Sequence, residues 1–122
     1  MKEEIEKIIK KEIKKLEKRR EFLQGKKEYY YQFRKVTREE VNFELESIQK
    51  RLNSLYQFLE DRKITRYIKT VLITSIELEL AKIYDKLYPD GVIFNKREDK
   101  KLIERKEKLL KLLEKIKEKE VK

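Results

Sequence analysis

The 122-residue sequence has no cysteine and no histidine, and it contains only two glycines and a single proline. Without cysteine or histidine there is no disulfide, no thiolate zinc site and no nucleophile activated by an imidazole base. Two glycines are too few for a glycine-rich loop around phosphate groups. The neighbouring carboxylates Glu77 and Glu79, or Glu60 and Asp61, lack both i, i+4 spacing and a supporting histidine. We therefore predict a protein that is not an enzyme and uses no metal, cofactor or small-molecule substrate.

Long apolar runs are also missing. No stretch approaches the roughly 18 apolar residues that cross a bilayer, and the sequence begins with charges instead of a signal-peptide core. We expect a cytoplasmic protein without a membrane partner. The abundance of Lys, Glu and Ile, with few Asn, Gln and Met, is typical of hyperthermophile proteins and suggests an archaeal source.

Positive charge is in excess, with 34 basic and 24 acidic residues and a net charge of +10. Its distribution is uneven, because residues 39–61 contain six acidic and only two basic residues, whereas the flanking segments are basic. A net positive charge favours an anionic partner such as nucleic acid, and hence association with the nucleoid. Alternating patches suit a protein that meets more than one partner.

The apolar residues recur at helical spacing and predict an all-α bundle of four long helices in a single domain, residues 1–122. The predicted helices cover residues 2–24, 38–61, 63–88 and 97–118. The third is apolar over much of its circumference, which predicts a buried central helix. Its predicted core residues are Ile68, Leu72, Ile76, Leu80 and Ile83.

Breakers and capping residues set the predicted ends of these helices. Gly25 follows the first helix, and Thr37 with Glu40 forms a T-x-x-E capping box before the second. The charged residues 60–63 mark either a bend or one solvated turn of a continuous helix. Pro89-Asp90-Gly91 predicts a turn, the apolar residues 92–94 follow it, and Asn95 with Glu98 resembles a second capping box.

The stretch KKEYYYQFRK, residues 26–35, sets four aromatic rings between basic pairs. Rings that stack on nucleobases usually lie on open sheets, which the pattern does not predict here. On a helical turn, Tyr29 and Phe33 share one face at i, i+4. We therefore predict that Tyr29 and Phe33 pack inward or against a subunit, while Tyr30 and Tyr31 are partly exposed.

The basic runs KKEIKK (10–15) and KRR (18–20) lie on the polar side of the first helix. They form either a solvated face or a surface that contacts phosphates without reading sequence. The candidate nucleic-acid contacts are Lys10, Lys11, Lys14, Lys15, Lys18 and Arg19.

Read in order, FLQGKKEYYYQFRK, NSLYQFLEDRKITRYIKTVL and NKREDKKLIERKEKLLKLLEKI resemble the helical A-domain of an archaeal GINS replication subunit of the A-then-B type. In this resemblance Tyr29 or Tyr30 matches a tyrosine of the family, and residues 62–64 match its basic-apolar triplet. The resemblance implies a non-enzymatic subunit that bridges the MCM ring and a RecJ-like partner in the replicative helicase. The implied interface residues are Tyr29, Tyr30, Phe33, Arg62, Lys63, Ile64 and Tyr67.

Two functions remain open from the sequence. The first is an assembly subunit with protein partners, in a hetero-oligomer or homo-oligomer, with possible DNA contact. The second is a small basic helical protein, for example of an archaeal virus, that binds DNA or chromatin without sequence preference. They differ in the expected effect of salt, because binding through phosphates weakens steeply as salt rises.

Overall fold

The computed structural model describes residues 2–26, 28–87 and 100–119. Helices account for 84% of these residues, which confirms the all-α prediction. The elements are α1 (Lys2–Gln24), β1 (Tyr29–Tyr31), β2 (Arg34–Val36), α2 (Arg38–Asp61), α3 (Arg66–Leu87) and α4 (Lys100–Glu118). The first two helices match their predicted bounds, and α3 begins three residues later than predicted. The predicted turn at 89–91, the segment 92–94 and the capping box of Asn95 and Glu98 lie outside the described residues.

The chain divides into two compact units, one from Lys2 to Lys63 and one from Ile64 onward. In the first unit α1 packs against α2, and the β-hairpin connects them. In the second unit α3 packs against α4. That the two units form a single domain stays a prediction.

The first unit is an antiparallel helix pair. The Glu6 carboxylate near the start of α1 accepts a hydrogen bond from Arg62, just after the end of α2, at 3.2 Å. The Glu17 carboxylate, further along α1, accepts from the Tyr56 hydroxyl, earlier on α2, at 2.6 Å. The two helices therefore run in opposite directions. The apolar stripes predicted from the sequence are buried in this unit. Its buried helical residues are Ile5, Ile9, Ile13, Leu16, Leu23, Val41, Ile48, Leu52, Leu55 and Phe58.

The second unit is also a helix pair. Arg105 donates to both carboxylate oxygens of Glu79, at 2.8 and 3.1 Å. The Lys69 ammonium donates hydrogen bonds to the backbone carbonyls of Lys117 and Lys119. These bonds satisfy carbonyl groups at the end of α4 that have no acceptor role within the helix. All five predicted core residues of α3 are buried, whereas Leu78 on the same helix is exposed. The buried helical residues of this unit are Ile68, Val71, Leu72, Ile76, Leu80, Ile83, Leu109, Leu112 and Ile116.

A break separates α2 from α3, so residues 60–63 are not one turn of a continuous helix. Arg62 has a left-handed backbone (φ 58°), and its N–H donates to the Phe58 carbonyl at 2.8 Å. The Asp61 carboxylate accepts from the Lys63 N–H, which lowers the pKa of Asp61. Thr65 then accepts from the Ile68 N–H at 3.2 Å and caps α3. The helix therefore ends and restarts on local hydrogen bonds.

The predicted capping box at the start of α2 is confirmed. The Thr37 hydroxyl accepts from the Glu40 N–H at 3.2 Å, and the Glu40 carboxylate accepts from the Thr37 N–H at 3.4 Å. Two backbone donors at the helix start are thereby satisfied. Because β2 ends one residue before Thr37, the same cap also fixes where the hairpin joins α2.

Replacing Thr37 with alanine is expected to lower the free energy of unfolding by about 1 kcal/mol, because the Glu40 N–H loses its acceptor. Denaturant unfolding followed by circular dichroism measures this change. Thr37→Ser keeps the hydroxyl and serves as the control. A serine variant as unstable as the alanine variant would contradict the capping role.

Candidate protein-binding site at the β-hairpin

The aromatic stretch forms an antiparallel hairpin, so the prediction of a helical turn is wrong. Tyr29 lies opposite Val36, and Tyr31 lies opposite Arg34. Tyrosine suits a strand, and the Thr37 cap ends the extended segment immediately before α2. Three-residue strands are too short to show an alternation of polar and apolar residues, which is the reason that the sequence pattern did not reveal them.

A two-residue turn, Gln32 and Phe33, connects the strands. Both residues have positive φ, 49° and 65°, as in the type I′ turn that matches the twist of a hairpin. Asparagine and glycine are the usual residues there, because a bulky side chain is strained in the left-handed region. Phe33 therefore carries backbone strain at the tip of the hairpin.

The prediction that Phe33 packs inward is wrong, because its side chain is fully exposed (106%). Successive side chains of a β-strand point to opposite faces, so Tyr29 and Tyr31 lie on one side of the hairpin and Tyr30 lies on the other. Tyr29 is half-buried, whereas Tyr30 and Tyr31 are exposed at 75% and 62%, as predicted.

Arg19 of α1 holds the hairpin against both helices. Its guanidinium donates to the Glu44 carboxylate of α2 at 2.6 Å and to the Tyr29 hydroxyl at 2.8 Å. The Tyr29 ring also meets the Phe22 ring edge-on, with centroids 5.4 Å apart. The Glu44 hydrogen bond raises the pKa of Arg19 above its ordinary value. Arg19, predicted as a candidate phosphate contact, is therefore already bonded to a carboxylate.

An open groove of ≈ 880 Å³ runs along the hairpin and the start of α2. Its exposed aromatic walls are Tyr31 and Phe43, and the Phe43 side chain is 75% exposed. The Arg34 guanidinium pairs with the Glu40 carboxylate, whose pKa is lowered by that contact. The charged residues that line the groove are three arginines and three glutamates, namely Arg19, Arg34, Arg51, Glu39, Glu40 and Glu44.

The structure separates the interface residues implied by the GINS resemblance into three groups. Tyr29, Tyr30 and Phe33 lie together on the hairpin. Arg62 and Lys63 follow the far end of α2, and that helix is about 36 Å long. Ile64 and Tyr67 belong to the second unit, where Ile64 is buried and Tyr67 is half-buried.

The sequence patterns did not predict Phe43, Glu44 or Arg51 as site residues, although all three line the groove. A signal for Phe43 was present. The buried positions Val41 and Ile48 of α2 lie seven residues apart, and Phe43 falls off their stripe. A phenylalanine outside the apolar stripe of an amphipathic helix indicates an exposed ring.

The five candidate lysines of α1 are all exposed, and they lie on the side of α1 away from its buried residues. Within residues 2–26, 28–87 and 100–119, no three acidic side chains come together as a metal site. No helix in this part of the chain is both long enough and apolar enough to cross a membrane.

Comparisons of the chain with family models, with curated proteins and with solved structures found no match.

Proposed function

We propose that this protein is a non-enzymatic assembly subunit that binds a protein partner through an exposed aromatic surface at the β-hairpin. We call this surface the hairpin patch, and it consists of Tyr31, Phe33 and Phe43. The observation that carries the proposal is the exposure of these three rings, between 62% and 106%, within one short hairpin and the adjoining part of α2.

Exposed apolar rings of this kind have a cost in water, because burying an aromatic side chain is strongly favourable. Single exposed apolar residues are common, but several aromatic rings in one region are typical of a binding surface. Phe33 adds a second argument, since its backbone is strained and its ring is fully exposed at the tip. Strain at an exposed residue is often retained for function.

The charges around the groove favour a protein over a nucleic acid. Equal numbers of guanidinium and carboxylate groups line it, and two of the arginines are already bonded to glutamates. A phosphate backbone would be repelled by the carboxylates as much as attracted by the arginines. Protein interfaces combine aromatic side chains, arginine and a polar rim in this way.

The residues that line the groove indicate what kind of protein segment would bind there. A protein segment that inserts an apolar side chain between Tyr31 and Phe43, with charges of both signs beside it, would fill the groove and meet Glu39 and Arg51. Such a buried anchor surrounded by polar contacts is the usual arrangement of a binding hot spot. The GINS resemblance supports the MCM ring and a RecJ-like protein as the partners to test first.

The test is purification of the complex from the native host with the tagged full chain, in about 0.5 M salt, where exposed charge pairs are screened. We expect a complex of fixed stoichiometry by native mass spectrometry. Phe43→Ser should remove the partner, because a polar residue replaces one wall of the groove.

Leu78→Ser is the matched control, because Leu78 is an exposed apolar residue (59%) on α3, outside the hairpin patch. It should retain the complex. The proposal fails if no stoichiometric complex survives the salt wash, or if both serine variants behave alike. Circular dichroism of each variant confirms that the helices are intact.

A further inference from the structure

A second surface of the same unit is a row of lysines on α1. We call it the lysine face, and it consists of Lys7, Lys10, Lys11, Lys14, Lys15 and Lys18, of which all are exposed. In the described part of the chain only Lys10 has a carboxylate partner, Glu6 at 3.0 Å. The other five ammonium groups are therefore available to a ligand.

The spacing of these residues produces a straight line of charge. Lys7, Lys11, Lys14 and Lys18 follow one another at steps of four, three and four, so they lie on one side of the helix. The row is about 17 Å long at the rise of an α-helix. It lies opposite the buried Ile9 and Ile13, which pack the other side of α1 into the unit.

No acidic residue interrupts the lysine face between its first and last members. Glu12 falls on another side of the helix by its position, and the Glu17 carboxylate accepts from Tyr56 of α2. The exposed side of α4 is different, since Lys111 and Lys115 there alternate with Glu107 and Glu114. Between Lys7 and Lys18 the charge on α1 is therefore segregated, whereas the charge on α4 is mixed.

We propose that the lysine face binds the phosphate backbone of double-stranded DNA without reading its sequence. The duplex carries one negative charge per roughly 1.7 Å of its axis, a rigid line of charge that matches a rigid row of lysines. Residues 7–18 of α1 contain no aromatic ring, so the stacking platform that single-stranded binding uses is missing. The apolar side of α1 is buried, so α1 cannot insert into a bilayer as an interfacial helix.

This inference is independent of the hairpin patch. The row begins at Lys18 and runs away from the hairpin, so its far end at Lys7 is about 26 Å from the end of α1. Lys15 and Lys18 share a depression with Glu44 and Arg51, which also line the groove. A duplex on the Lys7 end of the row and a protein partner on the hairpin would therefore occupy different parts of the unit.

The experiment measures binding of the full chain to a fluorescent duplex of arbitrary sequence by anisotropy, between about 50 and 200 mM salt. Four to six phosphate contacts predict a slope of roughly −4 to −5 for log K against log salt concentration. In Lys11→Gln/Lys14→Gln the slope should become shallower by about 2. The affinity at about 50 mM salt should then fall by roughly 100-fold.

Lys111→Gln/Lys115→Gln is the matched control, because it removes the same two charges from the mixed face of α4. Its affinity should stay within a few-fold of the wild type. An equal loss in both variants would show that net charge, and not the lysine face, attracts the duplex, and would overturn the proposal. Thermal melting shows whether each variant remains folded.

Three further ligands distinguish other sources of negative charge. A single strand of equal length should bind more weakly than the DNA duplex because it is flexible, whereas a duplex RNA, which is also a rigid line of phosphates, should bind with similar affinity. Vesicles that contain phosphatidylserine should bind only weakly. Tighter binding to any of the three than to duplex DNA would overturn the assignment, and so would a wild type that binds no duplex at low salt.

Discussion

Replacing Leu72 with alanine is expected to lower the free energy of unfolding by about 2–5 kcal/mol, the largest effect on stability that we predict. Leu72 has no exposed surface, and it lies on the side of α3 between Ile68 and Ile76, which are also buried. The truncation removes apolar contacts and leaves a cavity that neighbouring side chains fill only in part. Denaturant unfolding of the full chain measures the loss.

Leu78→Ala is the matched control for this prediction. It removes the same atoms from the same helix, but the Leu78 side chain is 59% exposed and its loss creates no cavity. We expect a change within about 0.5 kcal/mol. Equal losses in the two variants would mean that α3 does not bury the side that contains Leu72.

Replacing Phe33 with glycine is expected to weaken partner binding by roughly 30-fold or more, which corresponds to about 2 kcal/mol for a hot-spot ring. The same change should leave the protein as stable as the wild type or slightly more stable. Glycine adopts the φ of 65° without strain, and the lost ring makes no buried contact. The measurements are affinity for the purified partner by calorimetry and the free energy of unfolding.

Gln32→Gly controls for the flexibility that glycine adds to the turn. It occupies the other turn position, with φ 49°, and removes no aromatic ring. Its affinity for the partner should equal that of the wild type. If Phe33→Gly bound as tightly as Gln32→Gly, the Phe33 ring would have no part in the interface, and the strain at the tip would need another explanation.

The helices were predictable because the sequence of each helix contains apolar residues at helical spacing, and some helices also have capping residues. In α2 the steps of three and four from Val41 to Leu55 specify the buried side, and Thr37 with Glu40 specifies the start. The core of α3 followed from the same periodicity. These signals act over a few residues, so one sequence suffices to read them.

The hairpin was not predictable from the same rules. Its turn has glutamine and phenylalanine at positions where asparagine and glycine are expected, so the usual turn signal is missing. Its anchor joins Arg19 to Glu44 across 25 residues, and only the packing of α1 on α2 brings them together. The groove likewise depends on that packing, so the sequence indicated at most that the Phe43 ring is exposed and not that it lines a groove.

The division of the chain at residue 63 has a consequence for synthesis. The hairpin and the two helices that hold it all precede Ile64, and Arg19, Tyr29 and Glu44 are joined within them. Short-range contacts form quickly, and N-terminal segments fold first as a chain leaves the ribosome. We therefore expect the hairpin patch to take shape while the ribosome is still translating α3 and α4. A partner present in the cell can then begin to assemble with the nascent chain.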